Sequence, residues 1–335
     1  MNSICFILPY FGTFPQYIDA FLSSCKENPE YDFLILTDAK KKITANNIRV
    51  IPMTFPECQA LIKNRLNYLG FNNVCINKPY KLCDYKPCYG HIFSEYIKDY
   101  KYWGHIDCDL ILGRIAHFLR NINIEEYDRI FKYGHLSIYK NTEEVNKRFL
   151  KNINYCDFRT SSKTTLATHY DELGINYIYN QYKYPFYKEN FSVTISLNEF
   201  SYKSGVPELV EFPQLFVKYP NGKIIFYYLD KSNTIHKSEI LYLHFMSRKD
   251  VVIDIDINKP YLLTPYGAII FDEKLLLEYF KTYGNLDSRS FRKNNKRALI
   301  KKRLKTLIDE IKYNKIKAIK YYYNHIKPSP FTNWY

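Results

Sequence analysis

The sequence predicts an α/β fold with a parallel sheet and a basic amphipathic helix near the C-terminal end. Apolar runs of strand length alternate with a helical pattern early in the chain, an order that gives parallel strands. The basic stretch near the end repeats apolar residues at helical spacing. Hydrophobic residues make up 46% and charged residues 24% of the 335 residues, which indicates a globular chain rather than a disordered one. We expect a body over residues 1–285 and a helical tail over residues 286–335.

The first elements follow in a strand–helix–strand order. SICFILPYFG predicts a buried strand with a tight loop, QYIDAFLSSCKEN a helix, and YDFLILTD and NIRVIPM two further strands. In parallel sheets, ligands bind beyond the carboxyl ends of the strands. Pro9, Tyr10 and Phe11 fall at one such end and Asp38 at another, so these residues are candidate ligand contacts. A plain turn explains each segment equally well when it is taken alone.

The next predicted units are a loop, a helix and another strand. KPYKLCDYKP predicts a loop, YGHIFSEYIKDY a helix and YWGHIDCDLILG a strand. In strand geometry Asp107 and Asp109 point to one side and Cys108 to the other. Two carboxylates on one side repel each other unless a cation lies between them, and oxygen ligands suit Mg²⁺ or Mn²⁺. The pattern DxD therefore predicts a divalent metal site, although it is also common by chance.

The net charge of +14 is concentrated in one segment. Between positions 289 and 327 there are 14 Lys or Arg residues against two acidic ones, which leaves the rest of the chain near +2. A nucleic-acid-binding protein is an alternative suggested by the basic pI and the abundant aromatic residues. We expect no nucleic-acid partner, because the basic residues are not interleaved with the aromatic residues of the body.

Neither a secretory signal nor a membrane span is expected from the sequence. The N-terminal apolar run is too short for a signal peptide, and the chain has no stretch of 18 apolar residues. The eight cysteines show no spacing typical of a disulfide framework or a zinc site. These features predict reduced thiols and a cytoplasmic location.

Several of these segments, taken in order, resemble the GT-A class of nucleotide-sugar glycosyltransferases, in particular small bacterial enzymes of capsule or lipopolysaccharide biosynthesis. ILPYFG is similar to the strand and loop around the nucleotide base, LILTD to the strand that meets the nucleoside, and HIDCD to the DxD motif. LCDYKP is similar to the segment before that motif, and YLHFMSRK to a C-terminal histidine and basic element. The resemblance covers about residues 3–250 and implies a Rossmann-type mixed sheet flanked by helices.

The resemblance also implies roles for individual residues. Asp84 and Lys86 would approach the sugar or the diphosphate. His244 would be a third ligand of a Mn²⁺ or Mg²⁺ ion, beside Asp107 and Asp109, although a histidine in an apolar run is often a core residue. Arg248 and Lys249 would contact the diphosphate of the donor, with UDP the expected carrier.

The acceptor side is suggested by two later segments. YGHLSIYKN predicts a strand of the kind that lines the acceptor side in the resembling enzymes. In THYDELGIN, Asp171 or Glu172 is a candidate general base toward an acceptor hydroxyl, or would only position substrate if the reaction retains configuration. A simple acidic cap at a helix start explains the two residues equally well.

The basic tail is expected to attach the protein to an anionic membrane surface, where a polyprenyl-linked saccharide acceptor would lie. Each nearby basic residue contributes about 1 kcal/mol to such attachment. A helix packed on the body and a helix–helix contact between copies are the alternatives. The remaining alternative for the whole chain is a catalytically silent scaffold of the same fold, which the intact DxD argues against.

Overall fold

The computed structural model describes residues 3–189, 191–195, 202–204, 213–245, 251–264 and 267–284. The strands are β1 (Ile4–Tyr10), β2 (Asp32–Thr37), β3 (Ile48–Pro52), β4 (Tyr102–Ile106), β5 (Leu110–Leu112), β6 (Arg129–Ile130), β7 (Leu136–Lys140), β8 (Phe186–Tyr187), β9 (Ser192–Ile195), β10 (Tyr202–Ser204), β11 (Gln214–Lys218), β12 (Ile224–Leu229), β13 (Ile235–Glu239), β14 (Tyr242–His244), β15 (Tyr261–Thr264) and β16 (Gly267–Ile270).

Among the described residues, the helices lie mainly before residue 182. The α-helices are α1 (Ile18–Lys26), α2 (Phe55–Asn67), α3 (Tyr89–Ile92), α4 (Ser94–Ile97), α5 (Ile115–Leu119), α6 (Glu143–Asn146), α7 (Phe158–Ser161), α8 (Leu173–Gln181) and α9 (Leu276–Tyr283). The 3₁₀ helices are Pro79–Cys88, Ile124–Glu126, Arg148–Leu150 and Glu273–Leu275. Within the described ranges, no helix has both the length and the hydrophobicity needed to cross a bilayer.

The main sheet has seven strands in the order β3-β2-β1-β4-β7-β6-β8. β1 to β4 are parallel to one another, as the strand–helix–strand order predicts, whereas β7 runs antiparallel to β4 and to β6. Helices pack on this sheet, so the predicted class, an α/β fold with a mixed sheet flanked by helices, is confirmed. The carboxyl ends of β1, β2 and β4 meet at one edge, where the candidate site lies.

Alternate residues of β1 enter two separate cores. Cys5 and Ile7 pack with α2 on one face of the sheet, and Ile4, Phe6 and Leu8 pack with α1 on the other. A strand that is covered on both faces has apolar residues throughout, which is why this segment reads as a continuous apolar run. The buried sheet gives the residues at its carboxyl edge a rigid base.

The single helix predicted over residues 89–100 is wrong. The chain forms the two short helices α3 and α4 there. The loop predicted over KPYKLCDYKP is also wrong, because residues Pro79–Cys88 form a 3₁₀ helix. A 3₁₀ helix of ten residues is unusual, because runs longer than three or four residues are uncommon. Gly90 follows at a crowded point, where an added Cβ would lie 2.4 Å from the indole nitrogen of Trp103. Glycine at this position therefore lets α3 pack closely against Trp103 of β4.

Two further sheets, formed mostly by strands later in the chain, were not predicted from the sequence. One has the order β10-β9-β14-β5 and the other the order β13-β12-β11-β15-β16. β5 comes directly after the DxD segment, and β14 carries the YLHF sequence, so the four-stranded sheet brings these two motifs together. The basic tail lies outside the described residues. All eight cysteines lie within them and are free thiols.

Candidate functional site

The two predicted metal ligands lie at a break between two strands. Asp107 directly follows β4, and Asp109 directly precedes β5. The prediction of one continuous strand is wrong, because the chain bends here to pass from the seven-stranded to the four-stranded sheet. The backbone N–H of Asp107 donates to the His135 carbonyl at 3.0 Å, and the N–H of Phe245 donates to the Asp109 carbonyl at 2.9 Å. Neighbouring segments therefore fix the backbone at both aspartates.

His244 lies beside this break because β14 pairs antiparallel with β5. The pairing places His244 opposite Leu110, and its Nε2 atom lies 3.5 Å from Asp109 Oδ2. The ring also stacks on His135, with 4.1 Å between the ring centroids. Burial keeps the pKa of His135 well below its ordinary value, and the nearby His244 and Lys86 act in the same direction, so His135 is a neutral support for the ring. Two motifs far apart in the sequence thus meet in the fold.

Asp107, Asp109 and His244 are the side chains predicted to bind a divalent cation. Two carboxylates and an imidazole are ligands that Mn²⁺ and Mg²⁺ accept. Their side chains are 31%, 17% and 13% exposed respectively, so the group is partly open to solvent. Burial raises the pKa of Asp107; Lys86 opposes this shift and the negative charge of Asp109 adds to it. A cation at this position would stabilise both carboxylates in their charged forms.

Lys86 lies between Asp107 and Asp171. Its Nζ atom is 2.7 Å from Asp107 Oδ2, 2.8 Å from the Gly134 carbonyl and 3.4 Å from Asp171 Oδ2. Burial favours the neutral amine, but the two carboxylates outweigh it and raise the pKa of Lys86 well above its ordinary value. Lys86 is therefore a fixed positive charge that joins the DxD segment to the predicted acceptor-side acids.

Asp171 and Glu172 precede α8 and contact the loop before β7. The Gly134 N–H donates to Glu172 Oε1 at 3.0 Å. A Cβ at Gly134 would lie 2.3 Å from Asp171 Oδ2, so only glycine allows this approach. Burial raises the pKa of Asp171, and Lys86 opposes the shift. The pair is thus held against the loop before β7, and its position is not explained by a helix cap alone.

Asp84 is fully buried and organises the loop that leads to Asp171. Its carboxylate accepts hydrogen bonds from the backbone N–H groups of Thr168, at 2.9 Å, and Tyr170, at 3.1 Å. The loop turns around it at His169, whose φ of 55° is in the left-handed region. The ammonium group of Lys81, also fully buried, pairs with Asp84 at 2.6 Å. In this structure the Asp84 carboxylate thus faces protein groups and has no exposed surface.

Cys83, Asp84 and Asp171 form a second group of potential metal ligands. Their ligand atoms lie within 4.8 Å of one another. Asp84 is already occupied by the Lys81 ammonium and two backbone donors. Burial, and then the negative charge of Asp171, raise the pKa of the Cys83 thiol well above its ordinary value, which disfavours the thiolate that binds metals. These contacts and the protonated thiol disfavour a cation at this group.

The loops after β1 and β2 meet at the nucleotide end of the predicted site. The Gly12 N–H donates to Asp38 Oδ1 at 2.7 Å, so the exposed carboxylate of Asp38 reaches the loop after β1. Pro9 lies within β1 and pairs with β2. Phe11 is buried against Phe55, with 5.5 Å between ring centroids. Phe11 therefore supports this loop from the core side.

Tyr10 connects this end of the site with the DxD segment. Its ring stacks on Phe14 at 4.9 Å, and its hydroxyl donates to the Thr13 carbonyl at 2.9 Å. Burial, and then the charges of Cys108 and Asp109, raise the pKa of Tyr10 to about 12. Tyr10 is therefore near enough to the DxD segment to be influenced by its charge.

Most of the predicted site residues thus gather at one edge of the main sheet. Arg248 and Lys249 lie outside the described residues, and their roles stay predictions. Sequence reasoning did not single out His135 or Gly134 as site residues. Both lie at the start of YGHLSIYKN, the segment predicted as a strand, and both precede β7 in the structure. A glycine and a histidine at the start of that segment were the available signal.

Three solved structures show partial similarity to this chain. A glycosyltransferase involved in the glycosylation of the major capsid of PBCV-1 is 9% identical, with a TM-score of 0.38, covering 74% of this chain and 96% of that one. An active-site mutant of LgtC is 14% identical, with a TM-score of 0.38 and coverages of 74% and 88%. GlyE of Streptococcus pneumoniae TIGR4 is 10% identical, with a TM-score of 0.33 and coverages of 59% and 47%. At such scores the similarity does not establish a shared activity.

A comparison with curated proteins gave no match. The family comparison is informative, because one family matches residues 6–272, a range that contains every described candidate residue from Pro9 to His244. The chain therefore belongs to DUF6625, a family of unknown function.

Proposed function

We propose that this protein is a glycosyltransferase that moves a hexose from a nucleotide diphosphate sugar, with UDP as the carrier, to a saccharide acceptor. The acceptor would be a growing surface polysaccharide or a polyprenyl-linked oligosaccharide. The observation that carries the proposal is the meeting of Asp107, Asp109 and His244 at the carboxyl edge of the main sheet, beside the linked pair Lys86 and Asp171. Open α/β sheets bind their ligands at this edge.

Asp107, Asp109 and His244 are the residues that would hold Mn²⁺ or Mg²⁺. When bound, such an ion stabilises the negative charge that develops on the diphosphate leaving group. Lys86 keeps Asp107 in place and adds a fixed positive charge behind it. Arg248 and Lys249, which come soon after β14, are proposed to contact the diphosphate.

At the donor end, Tyr10 and Asp38 are proposed to contact the base and the nucleoside, with Pro9 and Phe11 shaping the loop between them. Their support is the hydrogen bond from Gly12 to Asp38, which joins the two strand ends into one surface. Asp84 is assigned a positioning role, because its buried carboxylate holds the loop that carries Asp171. Its predicted contact with the sugar or the diphosphate stays a prediction.

At the acceptor end, Asp171 and Glu172 are proposed to act on the attacking hydroxyl. In transfer with inversion, the acceptor oxygen bonds to the anomeric carbon, the bond from that carbon to the diphosphate breaks, and one of these carboxylates takes the hydroxyl proton. In transfer with retention they would position the acceptor instead. Lys86, at 3.4 Å, holds Asp171 in place for either role.

Isothermal titration of the full chain with UDP-glucose and UDP-galactose tests the proposal. We expect binding in the presence of Mn²⁺ and its loss when the metal is removed by chelation, because the diphosphate would complete the metal coordination. Uridine, which lacks the diphosphate, is the control and should show no dependence on the metal. Equal binding with and without Mn²⁺, or no binding of any nucleotide sugar, would contradict the proposal.

Attachment to a membrane surface is proposed for the basic tail, together with a cytoplasmic location at the inner face of the plasma membrane. Truncation after Asn285 should abolish sedimentation with anionic vesicles at low salt and leave UDP binding unchanged. Vesicle binding of the full chain should also weaken as salt rises, because exposed charges are screened over about 10 Å at 0.1 M. Sedimentation that does not depend on the tail, or on anionic lipid, would show that the tail has another role.

A further inference from the structure

The 3₁₀ helix Pro79–Cys88 carries a row of three side chains that leads from solvent to the candidate site. Side chains three residues apart eclipse each other in a 3₁₀ helix, so Tyr80, Cys83 and Lys86 lie along one face. At a rise of about 2 Å per residue, each step of this row is about 6 Å. Tyr80 is 58% exposed, Cys83 is half-buried and Lys86 is 7% exposed. The row therefore enters the protein with Tyr80 at its outer end.

The inner end of this row contacts the acids of the proposed acceptor side. The Cys83 sulfur lies within 4.8 Å of an Asp171 carboxylate oxygen, and Lys86 Nζ lies 3.4 Å from Asp171. Partial burial raises the pKa of Tyr80; Cys83, Asp171 and Asp107 act in the same direction, and Lys86 opposes them. The Tyr80 hydroxyl thus feels the same charges as the site, although much of its ring is open to solvent.

The ring of Tyr80 has an unusual environment among the tyrosines near the site. Tyr10 stacks on Phe14, and Tyr133 stacks on His135. Within the described ranges, Tyr80 has neither an aromatic partner nor a side-chain hydrogen bond. An exposed aromatic ring beside buried acids offers an apolar face next to hydrogen-bonding groups, which is the combination that small-molecule sites use.

We propose that Tyr80 is the platform on which a neutral pyranose ring of the acceptor stacks. The proposal rests on the proposed function and deepens it by naming the acceptor class. The C–H groups of a pyranose form an apolar face that packs on an aromatic ring, while its hydroxyls point outward. On Tyr80, those hydroxyls would reach toward Asp171 and Glu172. Of the charged side chains that act on the Tyr80 hydroxyl, Asp171 and Asp107 are acidic and Lys86 is basic, and Lys86 is itself paired with both acids. A neutral sugar therefore fits better than a uronic acid or another anionic sugar.

Three variants test the platform. Tyr80→Ala removes the ring, and Tyr80→Phe keeps it. Tyr68→Ala is the control, because it removes a tyrosine that is 87% exposed at the C-terminal end of α2. The probes are methyl β-glucopyranoside and its anionic counterpart, methyl β-glucuronide. Their binding to the full chain is measured by saturation-transfer NMR. We expect Tyr80→Ala to weaken glucopyranoside binding about tenfold, because an aromatic stacking contact contributes up to about that factor. Tyr80→Phe and Tyr68→Ala should bind as the original protein does, and the glucuronide should bind more weakly.

The outcomes separate this proposal from the proposed function. If UDP-hexoses bind with Mn²⁺ but Tyr80→Ala and Tyr68→Ala bind the glucopyranoside equally well, the platform is wrong and the donor site stands. If no nucleotide sugar binds but glucopyranoside binding still depends on the Tyr80 ring, the proposed function fails and the platform stands as a sugar site. If the original protein does not bind the glucopyranoside, or prefers the glucuronide, the proposal is also overturned. Far-UV circular dichroism checks that each variant is folded.

Discussion

Asp109→Asn is expected to lower glycosyl transfer by more than about 100-fold, because even residues behind metal ligands are worth 10–100-fold. The asparagine keeps the size of the side chain but removes the charge that would hold the cation beside His244. The backbone hydrogen bond from Phe245 to Asp109 does not depend on the side chain, so the fold should be preserved. The measurements are initial rates with UDP-hexose and Mn²⁺ affinity by calorimetry.

The control for this variant is Asp99→Asn, which makes the same change of charge at an exposed position outside the candidate site. It should keep both the rate and the Mn²⁺ affinity of the original protein. The melting temperature separates a lost ligand from a lost fold, and we expect it to change little in either variant without metal. Full activity of Asp109→Asn in excess chelator would contradict both the metal site and its assignment to this aspartate.

Asp84→Ala is expected to cost about 3–5 kcal/mol in the free energy of unfolding, the range for breaking a buried ion pair by removing one partner. Both Asp84 and Lys81 are fully buried, so the substitution leaves a charged ammonium in the interior. It also removes the acceptor of the backbone donors at Thr168 and Tyr170. The loss is measured by urea unfolding followed by circular dichroism.

Glu143→Ala is the matched control, since it breaks the exposed pair between Lys147 and Glu143 on α6. Exposed pairs contribute little, so its urea midpoint should barely move. If Asp84→Ala unfolds at the same urea concentration as Glu143→Ala, the Asp84 carboxylate does not organise this loop. A stable Asp84→Ala protein that has lost transfer activity would instead favour a direct contact between Asp84 and the donor.

The sequence was most informative where periodic apolar runs reflect burial. β1, β2 and β3 are parallel strands at the predicted positions, and α1 lies where the helical spacing indicates. These strands are apolar throughout because both faces of the sheet are covered. Each strand can therefore be predicted from its own short stretch of sequence. The helix predicted at residues 89–100 is instead two short helices, and the close packing of Gly90 on Trp103 is a contact that the local spacing does not reveal.

In the candidate site, too, some features could be predicted from local sequence patterns and others depended on distant contacts. The sequence determined which residues could carry the chemistry: a DxD after a buried strand, a histidine in a late apolar run, and an acidic pair before a helix. Only the tertiary structure decided that β5 and β14 join these motifs, that Lys86 lies between Asp107 and Asp171, and that Asp84 faces inward to hold a loop. The physical reason is that a sequence pattern records whether a side chain is buried or exposed. The partner of a buried charge depends on which distant strands pair, and that pairing is settled only when the whole sheet assembles.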